Sequence, residues 1–288
     1  MRSKKERSLV IGGTGFIGKA IANKLREKGK DFFYTRRGGS EFDSQSLNSD
    51  LIGNWRSLVE ELDIKDIYIA AGHYESLDDP TVWGKLWEAN YSFPRSILDQ
   101  LWELEVRVIV LGSYLQKDPE THGLWSFYTW SKESFRRYIE TRSNSALAQI
   151  TYVYLYDTYG NSDNRPKILN LLMNYEIEKG LLDCGNKNQR LNLTHVDDVV
   201  DGLMHAIRVV TTENYREFQI SAPNSLTLEE LVRMIEKYRD CNIPVAYGKL
   251  QNRRQILDLW QCAKAVPNFM PRRTLSEFLT LARQIEKY

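Results

Sequence analysis

Residues Ser8–Leu25 read SLVIGGTGFIGKAIANKL, and the fold turns on this stretch. Ser8–Ile11 has the short apolar character of a buried strand and is stopped at once by glycine. Gly13, Gly15 and Gly18 match G-x-G-x-x-G, while Gly12, Gly15 and Gly18 match the looser G-x-x-G-x-x-G. Ile17, Ile21 and Leu25 then recur at helical spacing, which predicts an amphipathic helix starting inside the loop. A strand that runs through glycines into a helix N-terminus has a physical use. The glycines allow a tight turn and a close backbone approach, and the helix end favours the charge of a pyrophosphate. The strand before the pattern and the helix after it are the context that separates a dinucleotide site from a plain glycine turn.

Working outward, the next apolar run, DFFYT, ends in Arg36-Arg37-Gly38-Gly39. A site for NAD places an acidic residue near here for the ribose 2′-hydroxyl, whereas arginine suits a 2′-phosphate, so the pair points to NADP(H) ahead of NAD. The alternative, two solvated loop arginines, stays open. Further strands are expected at DIYIAA, RVIVLGS and QITYVYLY. Helical patterns separate them at WRSLVEEL, residues 82–104 and SKESFRRYIETR. Strands alternating with helices predict α/β architecture: a doubly wound parallel sheet with a smaller, interleaved C-terminal domain. The first domain is expected over residues 1–160, rejoined by about 194–222, and the second over 161–193 and 223–288. That second part opens on an apolar helix over 167–180, and a short strand is expected at IPVAYG.

The chain has 288 residues, 42% hydrophobic and 27% charged, with a formal net charge of +1. Such a balance offers no basic excess to attract nucleic acid or a membrane surface. Cys184, Cys241 and Cys262 lie far apart and fit neither zinc spacing nor a disulfide framework, and no His/Cys/carboxylate cluster suggests a metal. The basic start is followed by an apolar run broken by glycines, unlike a secretory leader, and no apolar stretch approaches the ~20 residues of a span. A cytoplasmic location is the expectation.

Two features carry chemistry. In the helical pattern over 82–104, Trp83, Leu86, Trp87, Phe93, Ile97 and Leu101 form one stripe, and Asn90 falls on it. Pro94, four residues on, cannot donate to the Asn90 carbonyl, so a buried amide and a freed carbonyl meet at a kink. A tolerated kink with a satisfied core asparagine is an equally good reading. Further along, Tyr128 and Lys132 are one helical turn apart, which stacks a phenol on an ammonium group. A neighbouring cation favours the phenolate and brings a tyrosine from its ordinary value of about 10 towards neutrality, where it can exchange protons.

With these pieces placed, the chain resembles the extended short-chain dehydrogenase/reductases, the NAD(P)-dependent nucleotide-sugar epimerases, dehydratases and reductases. The resemblance spans nearly the whole sequence. It rests on GGTGFIG, Ala70-Ala71-Gly72, Asn90, Ser113, Tyr128-x-x-x-Lys132, LYDTYG and LTHVDDVVDG, in that order. It implies Ser113, Tyr128 and Lys132 as the catalytic set with Asn90 in support. Lys132 would also hold the nicotinamide ribose, and Ser113 would hydrogen-bond the reacting oxygen. The cofactor would be held by Gly12, Gly13, Thr14, Gly15, Phe16, Ile17, Gly18, Arg36, Arg37, Asp50, Leu51, Ala70, Ala71 and Gly72, together with Tyr128 and Lys132.

The 4,6-dehydratases of the family carry an Asp-Glu pair directly after the catalytic serine or threonine, whereas Tyr114-Leu115 stand here, so water elimination is not expected. The stretches GSYLQ and LYDTYGNSDNRPKILNLL look most like the small 4-ketoreductases of deoxysugar pathways, of the CDP-abequose synthase and dTDP-4-keto-6-deoxyglucose reductase types. The implied activity is NADPH-dependent reduction of the 4-keto group of a nucleotide-diphospho-deoxyhexose. Ser113, Tyr114, Asp157, Arg165, Lys167 and Arg190 are the candidates for substrate contact. His195 is read as structural, and His122 as a loop residue. A homodimer is expected through the helices over 82–104 and 126–142. Two rivals remain: a 4-epimerase that keeps a tightly held NAD, and a non-catalytic NADP-binding regulator.

Overall fold

The structure, a computed structural model, describes residues 6–38, 43–75, 78–120, 125–176, 178, 180–250 and 256–285; Gly39 and His122 lie outside the described residues. Strand β1 (Arg7–Ile11) leads through the glycine loop into α1 (Phe16–Glu27). Then come β2 (Phe32–Arg36), β3 (Ser46–Asn48), α2 (Trp55–Glu61) and β4 (Ile64–Ile69). The next helical stretch is α3 (Pro80–Trp87), a π-helical turn (Glu88–Ser92) and α4 (Phe93–Leu98). It is followed by β5 (Arg107–Ser113), α5 (Phe127–Arg142) and β6 (Gln149–Leu155). The chain goes on through β7 (Asp157–Tyr159), α6 (Ile168–Met173), β8 (Leu182–Asp183), β9 (Arg190–Leu191) and β10 (Leu193–His195). Last are α7 (Val196–Ala206), β11 (Tyr215–Ile220), β12 (Leu226–Thr227), α8 (Leu228–Arg239), β13 (Val245–Ala246), β14 (Lys264–Ala265) and α9 (Leu275–Ile285).

The chain divides into two compact units. The first comprises Met1–Leu155, Val200–Gln219 and Cys262–Phe269. Its parallel sheet has eight strands in the order β14-β11-β6-β5-β4-β1-β2-β3, a Rossmann-like arrangement with flanking helices. Leu9, Ile11, Ile67, Val108, Val110 and Ile150 bury one another along its centre, each such side chain contributing about 1.5–3 kcal/mol on leaving water. Strand order reverses at β1, which has β2 on one side and β4 on the other. At such a switch point the loops after adjacent strands splay apart and open a crevice. At the opposite end of the strands, buried Asp66 accepts from Arg107 Nε at 2.7 Å and from Arg208, fastening β4, β5 and the end of α7.

The second unit comprises Tyr156–Val199, Ile220–Gln261 and Met270–Tyr288. Small ladders join β7 to β10, β9 to β12 and β8 to β13 around a core that includes Leu172, Leu191, Leu231, Ile235 and Leu279. The side chain of buried Asp198 accepts from the Arg272 and Arg273 amides at 2.9 and 2.7 Å, tying down the segment before α9.

The structure differs from the sequence reading at particular places. The first unit ends at Leu155 rather than at residue 160, returns over Val200–Gln219 and takes in Cys262–Phe269, which holds β14. Strands β3 and β14 are three and two residues long, too short to carry a periodic pattern. The helix expected over 167–180 stops at Met173, and Tyr175 is instead buried with its hydroxyl on the Gly180 carbonyl at 2.6 Å.

Candidate active site

The glycine loop is held from β2 and closed by its own packing. Gly12 takes φ +82°, and its amide donates to Thr35 Oγ1 at 3.0 Å, while the Gly13 amide donates to the Thr35 carbonyl at 3.0 Å. Side chains are excluded on both sides of the turn. A Cβ at Gly18 would lie 2.1 Å from the Gly12 carbonyl oxygen, and one at Gly12 would lie 2.7 Å from the Ala71 amide nitrogen. Thr14 and Gly15 form the exposed tip, Phe16 and Ile17 are half-buried, and Gly15 offers no side-chain cap to α1. A bare backbone cradle at an uncapped helix N-terminus fits the diphosphate of a dinucleotide.

Around the cradle stand the other residues expected to hold the cofactor. Half-buried Arg36 ends β2 and exposed Arg37 follows it. Asp50 and Leu51 lie on the short turn after β3, where the Asp50 carboxylate accepts from the Gly38 amide at 3.2 Å and Leu51 is solvent-exposed. The stretch Ala70–Gly72 leaves β4 beside the loop, with the Ala70 amide on the Ile11 carbonyl at 2.9 Å.

The structure brings Lys132 and Asn90 together beside Gly72, and Lys132 reaches the strand that ends in Ser113. The Lys132 ammonium donates to the Leu111 carbonyl of β5 at 2.9 Å, two residues before Ser113. A Cβ at Gly72 would sit 3.4 Å from Lys132 Nζ and 3.2 Å from Asn90 Oδ1, a close fit in which the Asn90 amide would have to give way by a few tenths of an ångström. Burial lowers the Lys132 ammonium from 10.5 to about 8. Tyr128 is one turn earlier on α5, and the Tyr74 ring stands edge-on to its ring at 5.0 Å.

Asn90 is buried, as its place on the apolar stripe predicts, and its amide makes three bonds. Oδ1 accepts from the His73 amide at 3.0 Å; Nδ2 donates to the His73 carbonyl at 2.9 Å and to Ser131 Oγ at 3.2 Å. Ser131 Oγ in turn donates to the Tyr128 carbonyl at 2.8 Å. Asn90 thereby fastens the loop after β4 to the helix of Tyr128. In place of a simple kink, Pro94 is met by the π-helical turn, in which the Phe93 amide donates to the Glu88 carbonyl.

Ser113 is the last residue of β5 and caps the turn Tyr114–Lys117. Its Oγ accepts from the Leu115 amide at 3.4 Å, and its own amide donates to Gln116 Oε1 at 2.7 Å. Tyr114 is buried in this turn. The remaining substrate candidates belong to the second unit. Asp157 lies in β7, Lys167 precedes α6 and Arg190 lies in β9. Arg165 grips the buried Asp163 carboxylate with two bonds of 2.6 and 2.8 Å and donates to the Thr158 carbonyl at 2.7 Å, so it fastens its own loop. His195 is buried against Tyr159 and Phe278, accepts from the Asp197 amide and is pushed down by burial, so it stands neutral. Among the described residues no His/Cys/Asp/Glu group could hold a metal ion, and no helix is long and apolar enough to cross a membrane.

Thr35, Ser131, Gln116 and Tyr152 are absent from the sequence reading. Gln116 alone had a local signal, because Ser113-x-x-Gln116 is a capping-box spacing.

Chemically, a phenol one helical turn from a buried ammonium, which itself reaches the strand that ends in a serine, is the kind of set that can pass a proton to or from an alcohol or carbonyl oxygen. The model of the NAD dependent epimerase/dehydratase family matches residues 8–221. The CDP-abequose synthase of Yersinia pseudotuberculosis is 25% identical over 259 residues, covering 85% of this chain and 89% of that protein. Among solved structures, MoeE5 in complex with UDP-glucuronic acid and NAD has a TM-score of 0.78 at 19% identity, covering 98% of this chain and 100% of that one. The UDP-glucuronic acid 4-epimerase of Bacillus cereus, in complex with UDP-glucuronic acid and NAD, has a TM-score of 0.77 at 15% identity over the same shares. These structural likenesses speak for the fold.

Proposed function

The chain belongs to the NAD dependent epimerase/dehydratase family, and from that premise we propose that it reduces the 4-keto group of a nucleotide-activated deoxyhexose with NADPH. The observation that carries the reading is the turn after Ser113. It presents buried Tyr114 and then Leu115 where water elimination would need an acid and a base, beside a proton-transfer set that is otherwise intact. The name of the Yersinia relative puts CDP first among the nucleotides to try.

The glycine cradle would hold the cofactor, with Arg36 and Arg37 to meet a 2′-phosphate, and NADPH bound there would supply the hydride for C4. Tyr128 protonates the nascent alkoxide oxygen. Ser113 donates a hydrogen bond to that oxygen as its charge develops, a contribution larger in a dry site than in water. Lys132 favours loss of the phenolic proton and grips the ribose. Asn90 sets the distance between the loop after β4 and α5. Asp157, Lys167 and Arg190 are assigned to the sugar nucleotide, and Arg165 to the loop between β7 and α6.

Purified protein should carry no stoichiometric NAD. With a 4-keto-6-deoxy or 4-keto-3,6-dideoxy sugar linked to CDP, dTDP, GDP or UDP, it should oxidise one NADPH per sugar, followed by absorbance at ~340 nm. Sugar inversion without net absorbance change, by protein that retains NAD through purification, would make it an epimerase. Cofactor binding with no turnover of any sugar would leave the non-catalytic regulator.

A further inference from the structure

The geometry points to Gln116 as the positioning residue for Ser113, held in place by Tyr152 and made possible by Gly112. This rests on the reading of Ser113 as the hydroxyl that meets the reacting oxygen. Gln116 is buried, and its Oε1 accepts from the Ser113 amide at 2.7 Å. Its Nε2 donates to the Tyr152 hydroxyl at 3.0 Å. That hydroxyl can donate to Gln116 Oε1 at 3.1 Å or to the carbonyl of Lys132, on the helix that carries Tyr128, at 3.5 Å. Burial pushes the Tyr152 phenol well above its ordinary value, which keeps it neutral and a donor.

The consequence for Ser113 follows from counting its bonds. A hydroxyl has one proton and two lone pairs. The Leu115 amide takes a lone pair at 3.4 Å, and the Gln116 clamp fixes the backbone from which the hydroxyl projects. The proton and one lone pair remain, and the proton is the part that can meet a carbonyl oxygen. Gly112 shows that the arrangement is built: a Cβ there would fall 2.2 Å from Tyr152 Cε1 and 3.1 Å from Gln116 Oε1. Any side chain at 112 would push the tyrosine out of reach of the glutamine.

A satisfied core glutamine with no bearing on the reaction would make the same bonds, so the test must ask whether Gln116 works through Ser113. Gln116→Leu should lower kcat for keto-sugar reduction about ten- to a hundredfold, leaving NADPH affinity by fluorescence titration within about twofold of wild type. In a Ser113→Ala background the same change should cost less than about twofold, because the group it positions is gone. Gln116→Glu keeps an acceptor for the Ser113 amide in either protonation state and should recover most of kcat. Tyr152→Phe, which preserves the ring packing, should lower kcat in the same direction and also lose its effect in the Ser113→Ala background. Losses that multiply between Gln116→Leu and Ser113→Ala, or a Gln116→Leu effect confined to NADPH affinity, would overturn the inference while the reductase stands. Wild-type protein inert towards every keto sugar would overturn the reductase reading, and the inference with it.

Discussion

In the proposed reduction Tyr128 and Lys132 divide one task, and each division has a measurable edge. Tyr128→Phe keeps the ring and removes the proton donor, so kcat should fall at least about a hundredfold with cofactor affinity retained; near-normal turnover would remove Tyr128 from the mechanism. Lys132 supplies the pH dependence. Burial lowers its ammonium from 10.5 to about 8, so between those values the folded protein binds fewer protons than the unfolded chain. Stability therefore gains from this group as pH rises through that window. Activity should go the other way: reductive kcat/KM falls above about pH 8, as the charge that makes Tyr128 an effective acid is lost. Initial rates measured from neutral to alkaline pH check this, and a flat profile would show that the charge is not used. Arg36→Ala with Arg37→Ala should weaken NADPH at least about tenfold and NADH far less, since only NADPH carries the 2′-phosphate. Equal losses would mean that the pair does not read it. The Tyr128 and Lys132 pair was legible as a pair because one helical turn separates them, whereas Ser113 was reached only through the family resemblance. Gln116 was half legible. Its capping-box partner is three residues away, but Tyr152 is thirty-six residues off, and no local pattern encodes that contact.

The elements that hold these groups were read with uneven success, for reasons of length and period. The strand–glycine–helix unit of β1 and α1 stood out because apolar run, glycines and helical stripe change abruptly within a few residues. Its tightness gives a test. Gly18→Ala puts a methyl 2.1 Å from a backbone oxygen that has no flexible end to yield. Overpacking of this kind costs about 1–3 kcal/mol, so the melting temperature should drop and NADPH binding weaken together. Unchanged values of both would mean that the loop relaxes freely. The stretch from α3 to α4 read as one kinked helix, because a π turn inserts into a helical stripe without erasing it. Trp83, expected on the buried stripe, is instead 37% exposed.

That exposed tryptophan belongs to a larger feature of the molecule. On α3, α5 and the turn between α3 and α4, Trp83 stacks on Phe127 at 4.9 Å, and Trp87 stacks on Trp130 at 5.0 Å and on Tyr91 at 4.2 Å. Trp130 is 40% exposed. Two exposed tryptophans on a run of stacked, otherwise half-buried rings suit a second copy of the chain, so a homodimer should appear by light scattering at micromolar concentration. Trp130→Glu should shift the mass towards the monomer, and a monomeric wild type would count against this face. At this scale the alternation of strands and helices announced the sheet, and the expected return over about 194–222 contains β11, yet β14 was obscure, since it is two residues long and arrives after a further excursion into the second unit. That late arrival has a bearing on synthesis. A ribosome has delivered β1 to β6, and with them the glycine cradle and Ser113, Tyr128 and Lys132, by Leu155. The strand that covers β6 follows only at Tyr215, and the one beyond it only at Lys264. While the stretch from Tyr156 to Asn214 is being made, the nascent chain therefore presents a bare β6 edge, the state in which a chaperone or a neighbouring nascent chain would find it.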